Sequence, residues 1–143
     1  MSTKTVSNRN DPLIENRDQL ITAMAKGEKP KDRWRIGTEH EKFVYCTGDH
    51  HAPSYAEPGG IRDLLLALTE FGWEPVYEGD NVIAMSGPDG TVSLEPAGQL
   101  ELSGAPLENL HQTCAETGRH LKQVKAIGAK TGKAFLGLGL WPD

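Results

Sequence analysis

Alternating carboxylates are the residues of this chain best able to do chemistry. Glu39 and Glu41 stand two apart in a predicted strand, so both side chains point to one face, about 6.5–7 Å apart along the chain. Two like charges at this spacing repel each other unless water or a cation separates them. Apolar residues flank the pair, among them Ile36 and Phe43, which argues against full exposure. The alternative is that Glu39 and Glu41 are ordinary polar residues that alternate with others on a solvent-exposed strand.

A second predicted strand carries three polar side chains on one face, while its other face is apolar. The polar residues are Gln99, Glu101 and Ser103. Glu95 comes just before the break at 96–98 and is expected to lean into the same region. If both strands belong to one sheet with these faces aligned, four carboxylates and an amide converge.

Oxygen donors with no cysteine among them favour a hard cation, Mg²⁺ or Mn²⁺. Mg²⁺ held by few protein carboxylates keeps room for waters and phosphate oxygens. The candidate metal ligands are Glu39, Glu41, Glu95 and Glu101. The candidate substrate contacts are Gln99 and Ser103. The sequence shows no serine or cysteine nucleophile constellation, so no catalytic side chain is assigned.

Composition limits the classes of protein to which the chain can belong. The 143 residues suit one domain, and 15 basic against 20 acidic residues leave a net charge of −5, so a nucleic-acid partner is not expected. No apolar run approaches the roughly 20 residues of a membrane span. The polar first eleven residues carry no signal core, which predicts a cytoplasmic protein. Cys46 and Cys114 are too few for a disulfide framework or a zinc ribbon.

The pattern along the chain predicts the elements that position these residues. Helices are expected at 18–26, with Asp18 as N-cap, at 61–71, ended by Gly72, and over about 20 residues from Leu107. Strands are expected at 34–45, 73–77, 81–85, 91–95, 99–103 and 134–140, with a turn at Pro88-Asp89-Gly90. Grouped meandering strands predict an α+β fold, an antiparallel sheet with helices on one face.

The domain organisation predicted from this pattern is simple. Residues 1–17 are expected to form a flexible N-terminal arm, and residues 18–143 a single folded region.

Two long motifs carry a resemblance to a known family. Residues 35–43, RIGTEHEKF, resemble the signature strand of glutamate–cysteine ligases of the plant and proteobacterial type, and residues 93–108 resemble the second signature. Residues 110–116 and 135–139 extend the match, which covers about 18–143. The sequence departs from the family at Ala97, where glycine is common, and at Leu100, where phenylalanine is common. Neither departure touches a carboxylate.

The resemblance implies ATP-dependent ligation of the γ-carboxylate of glutamate to the amino group of cysteine through a γ-glutamyl phosphate, the first step of glutathione synthesis. It implies a glutamine-synthetase-like catalytic domain, Mg²⁺ or Mn²⁺ as cofactor, and glutamate, cysteine and ATP as partners. The metal ligands it implies are Glu39, Glu41 and Glu101, with Glu95. Cys114 matches a cysteine of a regulatory disulfide in plant members, whose partner would lie beyond Asp143.

The resemblance also implies that the chain is the N-terminal portion of a longer ligase, inactive by itself and completed by the remainder of the ligase chain. Two alternatives stay open at this point. One is a related γ-glutamyl ligase of another thiol pathway. The other is a non-catalytic metal-binding module, if the natural chain ends at residue 143.

Overall fold

The structure is a computed structural model that describes residues 13–88 and 90–141. It divides into two units, Met1–Trp34 and Arg35–Asp143. Most of the predicted arm, residues 1–12, and the turn residue Asp89 lie outside the described part. The predicted domain organisation therefore stays a prediction.

The first unit contains one helix, α1, at Arg17–Ala25, followed by a short 3₁₀ turn at Lys31–Arg33. Asn16 is the N-cap of α1, because its side-chain oxygen accepts a hydrogen bond from the backbone N–H of Gln19 at 3.0 Å. The prediction that Asp18 caps this helix is wrong: Asp18 lies in the first turn, where its charge favours the helix dipole.

The second unit is an antiparallel sheet with two helices. Its strands are β1 (Glu39–Cys46), β2 (Glu74–Glu78), β3 (Asn81–Gly87), β4 (Gly90–Glu95), β5 (Gln99–Gly104) and β6 (Lys133–Leu136). Its helices are α2 (Ile61–Ala67), which continues as a 3₁₀ turn at Leu68–Phe71, and α3 (Leu110–Thr131). The six strands form one sheet in the order β2-β3-β4-β5-β1-β6, and every neighbouring pair is antiparallel. The predicted α+β class is confirmed.

Both helices of this unit pack on the same face of the sheet. That face supplies alternate residues of the central strands to the core, including Val44, Met85, Val92, Leu100 and Leu102. Leucines of α2 and Ile127 of α3 cover them. Leu100 is 2 % exposed, so the departure from the family's phenylalanine at this position is a change within the core. The opposite face of the sheet remains for the carboxylates.

The main differences from the predicted boundaries concern β1, α3 and β6. β1 begins at Glu39, because its partner β5 ends at Gly104, and Ile36 forms only an isolated bridge with Leu107. Helix α3 begins at Leu110, where Asn109 forms a capping box with Gln112. The last strand, β6, ends at Leu136, where its pairing with β1 ends.

The buried side of α3 also differs from the side that apolar spacing predicts, which carries Leu107, Leu110, Cys114, Leu121 and Val124. Leu110 and Cys114 are exposed, whereas Glu116 and His120 are buried with Val124, Ile127 and Gly128. The helix therefore presents two ionisable groups to the sheet in its first half. In the described part of the chain, no helix has the length and apolar content to cross a bilayer.

Candidate functional site

Strand register decides which of the predicted site residues meet. Glu41 of β1 pairs with Glu101 of β5, and Glu39 pairs with Ser103. Residues directly opposite in an antiparallel ladder point to the same face, with Cβ atoms about 4.5–5.5 Å apart. These four side chains therefore form two adjacent cross-strand pairs.

The neighbouring strand β4 adds the fourth carboxylate. Ser93 pairs with Glu101, and Glu95 pairs with Gln99 across the β4–β5 ladder. The six predicted residues thus lie on one face of three consecutive strands, β4, β5 and β1. The aligned faces expected from the alternation are present in the structure. We call this surface the carboxylate face; its members are Glu39, Glu41, Glu95, Gln99, Glu101 and Ser103.

The carboxylates on this face are not equivalent. Glu101 is 2 % exposed, and its Oε1 accepts a hydrogen bond from the hydroxyl of Ser103 at 3.1 Å, whereas Glu39 and Glu41 are exposed. Burial raises the pKa of Glu101, and a hydrogen bond to the side chain of Glu95 raises it further. Glu101 is therefore the carboxylate at which a bound proton would compete with a bound cation.

The donor set fits a cation that keeps much of its own coordination shell. Within the described residues, no three carboxylates of this face have oxygen atoms all within 4.8 Å of one another. Mg²⁺ is usually bound by one or two protein carboxylates together with waters and phosphate oxygens, which a paired arrangement such as Glu41 with Glu101 can supply. All six side chains offer oxygen, and none offers sulphur. Metal binding on this face stays a prediction.

A small pocket lies at the edge of the carboxylate face. It has a volume of about 210 Å³ and is lined by Gly37, Thr38, Glu39, Ser103 and Gly104. The hydroxyl oxygen of Thr38 is buried without a hydrogen-bond partner among the residues that the structure describes. Sequence alternation assigned Thr38 to the opposite face from Glu39, but β1 begins only at Glu39, so the alternation does not apply to Thr38. The sequence signal that could have indicated a role for Thr38 was its position between Gly37 and Glu39 in the first signature motif.

Gln99 is a second side chain with unsatisfied hydrogen-bonding capacity. Its carbonyl oxygen is buried and has no partner within residues 13–88 and 90–141. An unpaired buried acceptor costs about 1–3 kcal/mol, so such a group is suited to accept a donor from a ligand. This property agrees with the predicted role of Gln99 as a substrate contact, which nothing further tests.

Ionisable side chains also lie behind the carboxylate face. Lys42 is 1 % exposed, and its ammonium lies 2.9 Å from Nδ1 of His40 and donates to the His40 carbonyl at 2.6 Å. Burial lowers the pKa of Lys42 to about 8, against the opposing influence of the charges of Glu101 and Glu41. The pKa of His120 falls to about 3, chiefly through burial, with smaller contributions from Lys42 and His40.

Glu116 joins α3 to the end of β5. It is 1 % exposed, and its Oε1 accepts a hydrogen bond from the backbone N–H of Ala105 at 2.8 Å. This contact holds the segment that follows Gly104, which lines the pocket. The sequence did not place Glu116 and His120 at the sheet, because the apolar spacing of α3 indicates a different face of the helix from the one that is buried.

The two thiols differ in accessibility. Cys114, the predicted redox residue, is an exposed free thiol on α3, and Cys46 is buried at the end of β1. The redox role of Cys114 stays a prediction.

The region that builds this sheet matches a family of known proteins. The family described as "Glutamate-cysteine ligase family 2 (GCS2)" matches residues 35–143, which contain every strand of the sheet. The chain belongs to glutamate-cysteine ligase family 2. This result confirms the resemblance seen in the two signature motifs.

Individual relatives of this ligase family cover nearly the whole chain. It is 50 % identical to the chloroplastic glutamate–cysteine ligases of Medicago truncatula and Nicotiana tabacum, and 48 % identical to the chloroplastic glutamate–cysteine ligase A of Oryza sativa subsp. japonica. Each match covers 92 % of the chain but only 24–26 % of the relative. The chain therefore spans about a quarter of the length of the curated relatives it matches.

These relatives correct one expectation. All three are named as chloroplastic enzymes, which contradicts the cytoplasmic location predicted from the polar N-terminus. A polar first segment shows only that no apolar signal core is present, and transit peptides in general need no such core.

Proposed function

We propose that this chain contributes the metal-binding carboxylates of a glutamate–cysteine ligase, which joins the γ-carboxylate of glutamate to the amino group of cysteine at the expense of ATP. The observation that carries the proposal is the direct pairing of Glu41 with Glu101, in a chain of this ligase family. A face that gathers carboxylates from three strands suits phosphoryl transfer, where cations must be positioned against phosphate oxygens.

The proposed reaction has two steps. An oxygen of the glutamate γ-carboxylate attacks the γ-phosphorus of ATP, which forms γ-glutamyl phosphate and releases ADP. The cysteine amine then attacks the acyl carbon, loses a proton, and expels inorganic phosphate as the peptide-like bond forms. The first step converts a carboxylate oxygen, which an amine cannot displace, into a phosphate leaving group.

In this proposal Glu39, Glu41, Glu95 and Glu101 hold Mg²⁺ or Mn²⁺. When bound, the cation neutralises the charge that develops on the phosphate oxygens during transfer. Ser103 keeps one oxygen of Glu101 occupied, which fixes the orientation of that carboxylate. Glu101 must be deprotonated to bind the cation, and the ion's charge offsets the burial that otherwise raises its pKa.

Substrate contacts belong to the same face. The pocket beside Glu39 and Ser103 has a size that suits one carboxylate or phosphate group. The amide of Gln99 supplies an unsatisfied acceptor for an N–H or O–H donor of the substrate. We propose that this sheet is one part of a glutamine-synthetase-like catalytic domain, whose remaining strands come from the rest of the ligase chain.

The proposal is tested in a full-length ligase that contains this segment. The double substitution Glu39→Gln and Glu101→Gln should lower Mg²⁺- and ATP-dependent formation of γ-glutamylcysteine at least 100-fold, because both cross-strand pairs of the face lose a charge. Glu74→Gln, an exposed glutamate on β2, is the matched control and should keep turnover within twofold. Wild-type turnover in the double variant would refute the proposal.

Two further measurements separate the alternatives. Product formation by the full-length wild-type enzyme should require cysteine; an equal rate with another amine in its place would indicate a different γ-glutamyl ligase. The 143-residue chain alone should form no product. Product formed by it, with ATP and both amino acids, would contradict the view that the rest of the ligase is needed.

A further inference from the structure

A second cluster of metal-binding side chains lies away from the carboxylate face. Cys46 ends β1, and its parity in the strand places it on the opposite face from Glu41. His51 and Glu57 lie in the segment between β1 and α2. The ligand atoms of Cys46, His51 and Glu57 all lie within 4.8 Å of one another. Within the described residues, no other group of three His, Cys, Asp or Glu side chains meets this condition.

The distances in this cluster match those of a tetrahedral zinc site. With Zn–S of about 2.3 Å and Zn–N or Zn–O of about 2.0–2.1 Å, ligand atoms at tetrahedral angles are separated by about 3.5 Å for sulphur to nitrogen and about 3.4 Å for nitrogen to oxygen. The sulphur of Cys46 lies 3.3 Å from Nε2 of His51, and that nitrogen lies 3.4 Å from Oε1 of Glu57. Little movement would be needed to ligate an ion.

Neighbouring groups orient two of the three ligands. Nδ1 of His51 lies 2.7 Å from the carboxylate of Asp49, so Nδ1 carries a proton, and Nε2 is the nitrogen that faces Cys46 and Glu57 and would bind the metal after losing any proton of its own. A carboxylate that orients a histidine in this way is typical of zinc sites. The second oxygen of Glu57 accepts a hydrogen bond from the backbone N–H of Ser54 at 2.9 Å, which leaves Oε1 turned towards His51.

Charge and access also suit a divalent ion. One thiolate, one carboxylate and one neutral imidazole balance the two positive charges of Zn²⁺. Cys46 is buried, but the side chain of His51 is 50 % exposed, which leaves a route from solvent. A three-residue set leaves one coordination position of a tetrahedral ion for water.

Lys133 is the competitor at this site. Its ammonium donates to the sulphur of Cys46 at 3.0 Å and lies 3.9 Å from Oε1 of Glu57. It reaches them because Lys133 of β6 pairs directly with Cys46 of β1. An arriving ion must displace this ammonium from both acidic ligands, so loss of Lys133 should strengthen metal binding.

We propose that Cys46, His51 and Glu57 bind Zn²⁺, with Asp49 as the group that orients His51, and that the ion fastens the segment between β1 and α2 to the end of the sheet. Borderline-soft Zn²⁺ accepts sulphur, nitrogen and oxygen together, whereas Mg²⁺ does not. This site is separate from the carboxylate face and does not depend on the ligase proposal.

Titration of the 143-residue chain with Co²⁺ and with Zn²⁺ tests the proposal. Co²⁺ should bind 1:1 and produce a thiolate-to-cobalt charge-transfer band in the near ultraviolet, which Zn²⁺ should abolish by displacement.

Variants of the ligands should weaken binding. Cys46→Ser should remove the band and weaken Zn²⁺ binding at least 100-fold; His51→Gln and Glu57→Gln should weaken it at least tenfold. Asp49→Asn should weaken it about tenfold, as expected for an orienting carboxylate. Lys133→Met should strengthen it at least fivefold.

Cys114→Ser and His50→Asn are the matched controls. The first removes the exposed thiol of α3, and the second removes the imidazole next to His51 with a residue that tolerates its left-handed φ of 67°. Both should leave Zn²⁺ affinity within twofold of wild type.

If a cluster variant does not fold, alkylation of the wild-type chain provides the test: Zn²⁺ should slow the labelling of Cys46 and leave that of Cys114 unchanged. Absence of 1:1 binding at 100 µM Zn²⁺, or a charge-transfer band that survives Cys46→Ser, would overturn the proposal.

Discussion

Glu41 and Glu101 face each other across the β1–β5 ladder, one exposed to solvent and the other 2 % exposed. Like charges directly opposite in a sheet are destabilising, and burial of one of them increases the cost. Under the proposed function, a bound cation would relieve this repulsion.

Glu101→Gln should separate the stability of the chain from its response to metal. In metal-free buffer at pH 7 the variant should melt at an equal or higher temperature than wild type, because it removes a buried charge opposite Glu41. If the carboxylate face binds Mg²⁺ as proposed, millimolar Mg²⁺ should raise the melting temperature of wild type and leave that of the variant unchanged. Thermal unfolding with and without Mg²⁺ measures both effects, and Glu74→Gln on β2 is the control. A variant that melts lower and keeps its full response to Mg²⁺ would contradict this interpretation.

Acid should destabilise the chain partly through His120. Burial lowers the pKa of His120 from 6.5 to about 3, and the charges of Lys42 and His40 contribute. Between about pH 6.5 and pH 3, His120 is therefore neutral in the folded state but protonated in the unfolded chain. The free energy of unfolding therefore falls as the pH drops from about 6.5 towards 3. His120→Met removes this dependence. As the pH is lowered from 7.5 to 5, the free energy of unfolding of the variant should therefore rise by about 2 kcal/mol relative to that of wild type.

Urea unfolding at the two pH values measures this difference. His111→Met, at an exposed position of the same helix, should show no such increase. At pH 7.5 itself, His120→Met should be no less stable than wild type, because neither ring nitrogen of His120 has a hydrogen-bond partner among the described residues. Parallel pH dependences for wild type and His120→Met would show that His120 is protonated in the folded state.

Gly104 should tolerate no side chain. A Cβ at this position would overlap the carboxylate of Glu116, which is 1 % exposed and therefore has little room to move. Gly104→Ala should lower the free energy of unfolding by about 1–3 kcal/mol, the usual cost of overpacking. Gly118→Ala on α3 is the control: a Cβ there meets nothing within 4 Å, and the helix should gain about 0.5–1 kcal/mol. Chemical unfolding of both variants gives the comparison, and equal effects in the two would refute the packing argument.

Ala97 adopts a left-handed backbone conformation, with φ of 62° and ψ of 19°, between β4 and β5. Such a conformation costs an L-residue about 1–2 kcal/mol, and glycine avoids that cost. Ala97→Gly should therefore raise the free energy of unfolding by about 0.5–1 kcal/mol after allowance for the greater freedom of glycine in the unfolded chain. Ala129→Gly, at an exposed helical position of α3, should lower it by a similar amount. A loss of stability in Ala97→Gly would mean that the turn does not strain Ala97 in solution.

The composition of the carboxylate face could be predicted from the sequence, because strand alternation is a local property. Glu39 and Glu41 share a side whatever their strand pairs with, as do Gln99, Glu101 and Ser103. The two signature motifs likewise identified the ligase family without any contact information. The helix at 61–71 and its end at Gly72, with φ of 85°, followed from apolar spacing and a single glycine.

Long-range pairing decided what alternation could not. The register that sets Glu41 opposite Glu101, and the burial of only one of them, depends on how two strands about 60 positions apart align. The apolar spacing predicts that Leu110 and Cys114 lie on the buried face of α3. The buried face is instead rotated about the helix axis and carries Glu116 and His120, because packing against the sheet, and not side-chain type, determines the buried side.

The Cys46 cluster shows this division most clearly. The sequence pattern favours a solvated loop for His50 and His51 over a soft-metal site, and predicts a buried thiol at Cys46. Lys133 reaches that thiol from 87 positions away because β6 pairs with the end of β1. The sequence alone thus determines which side chains share a face of a strand or helix, since those periods are set by local backbone geometry. Only the tertiary structure decides which faces meet, since that depends on contacts between segments distant in the chain.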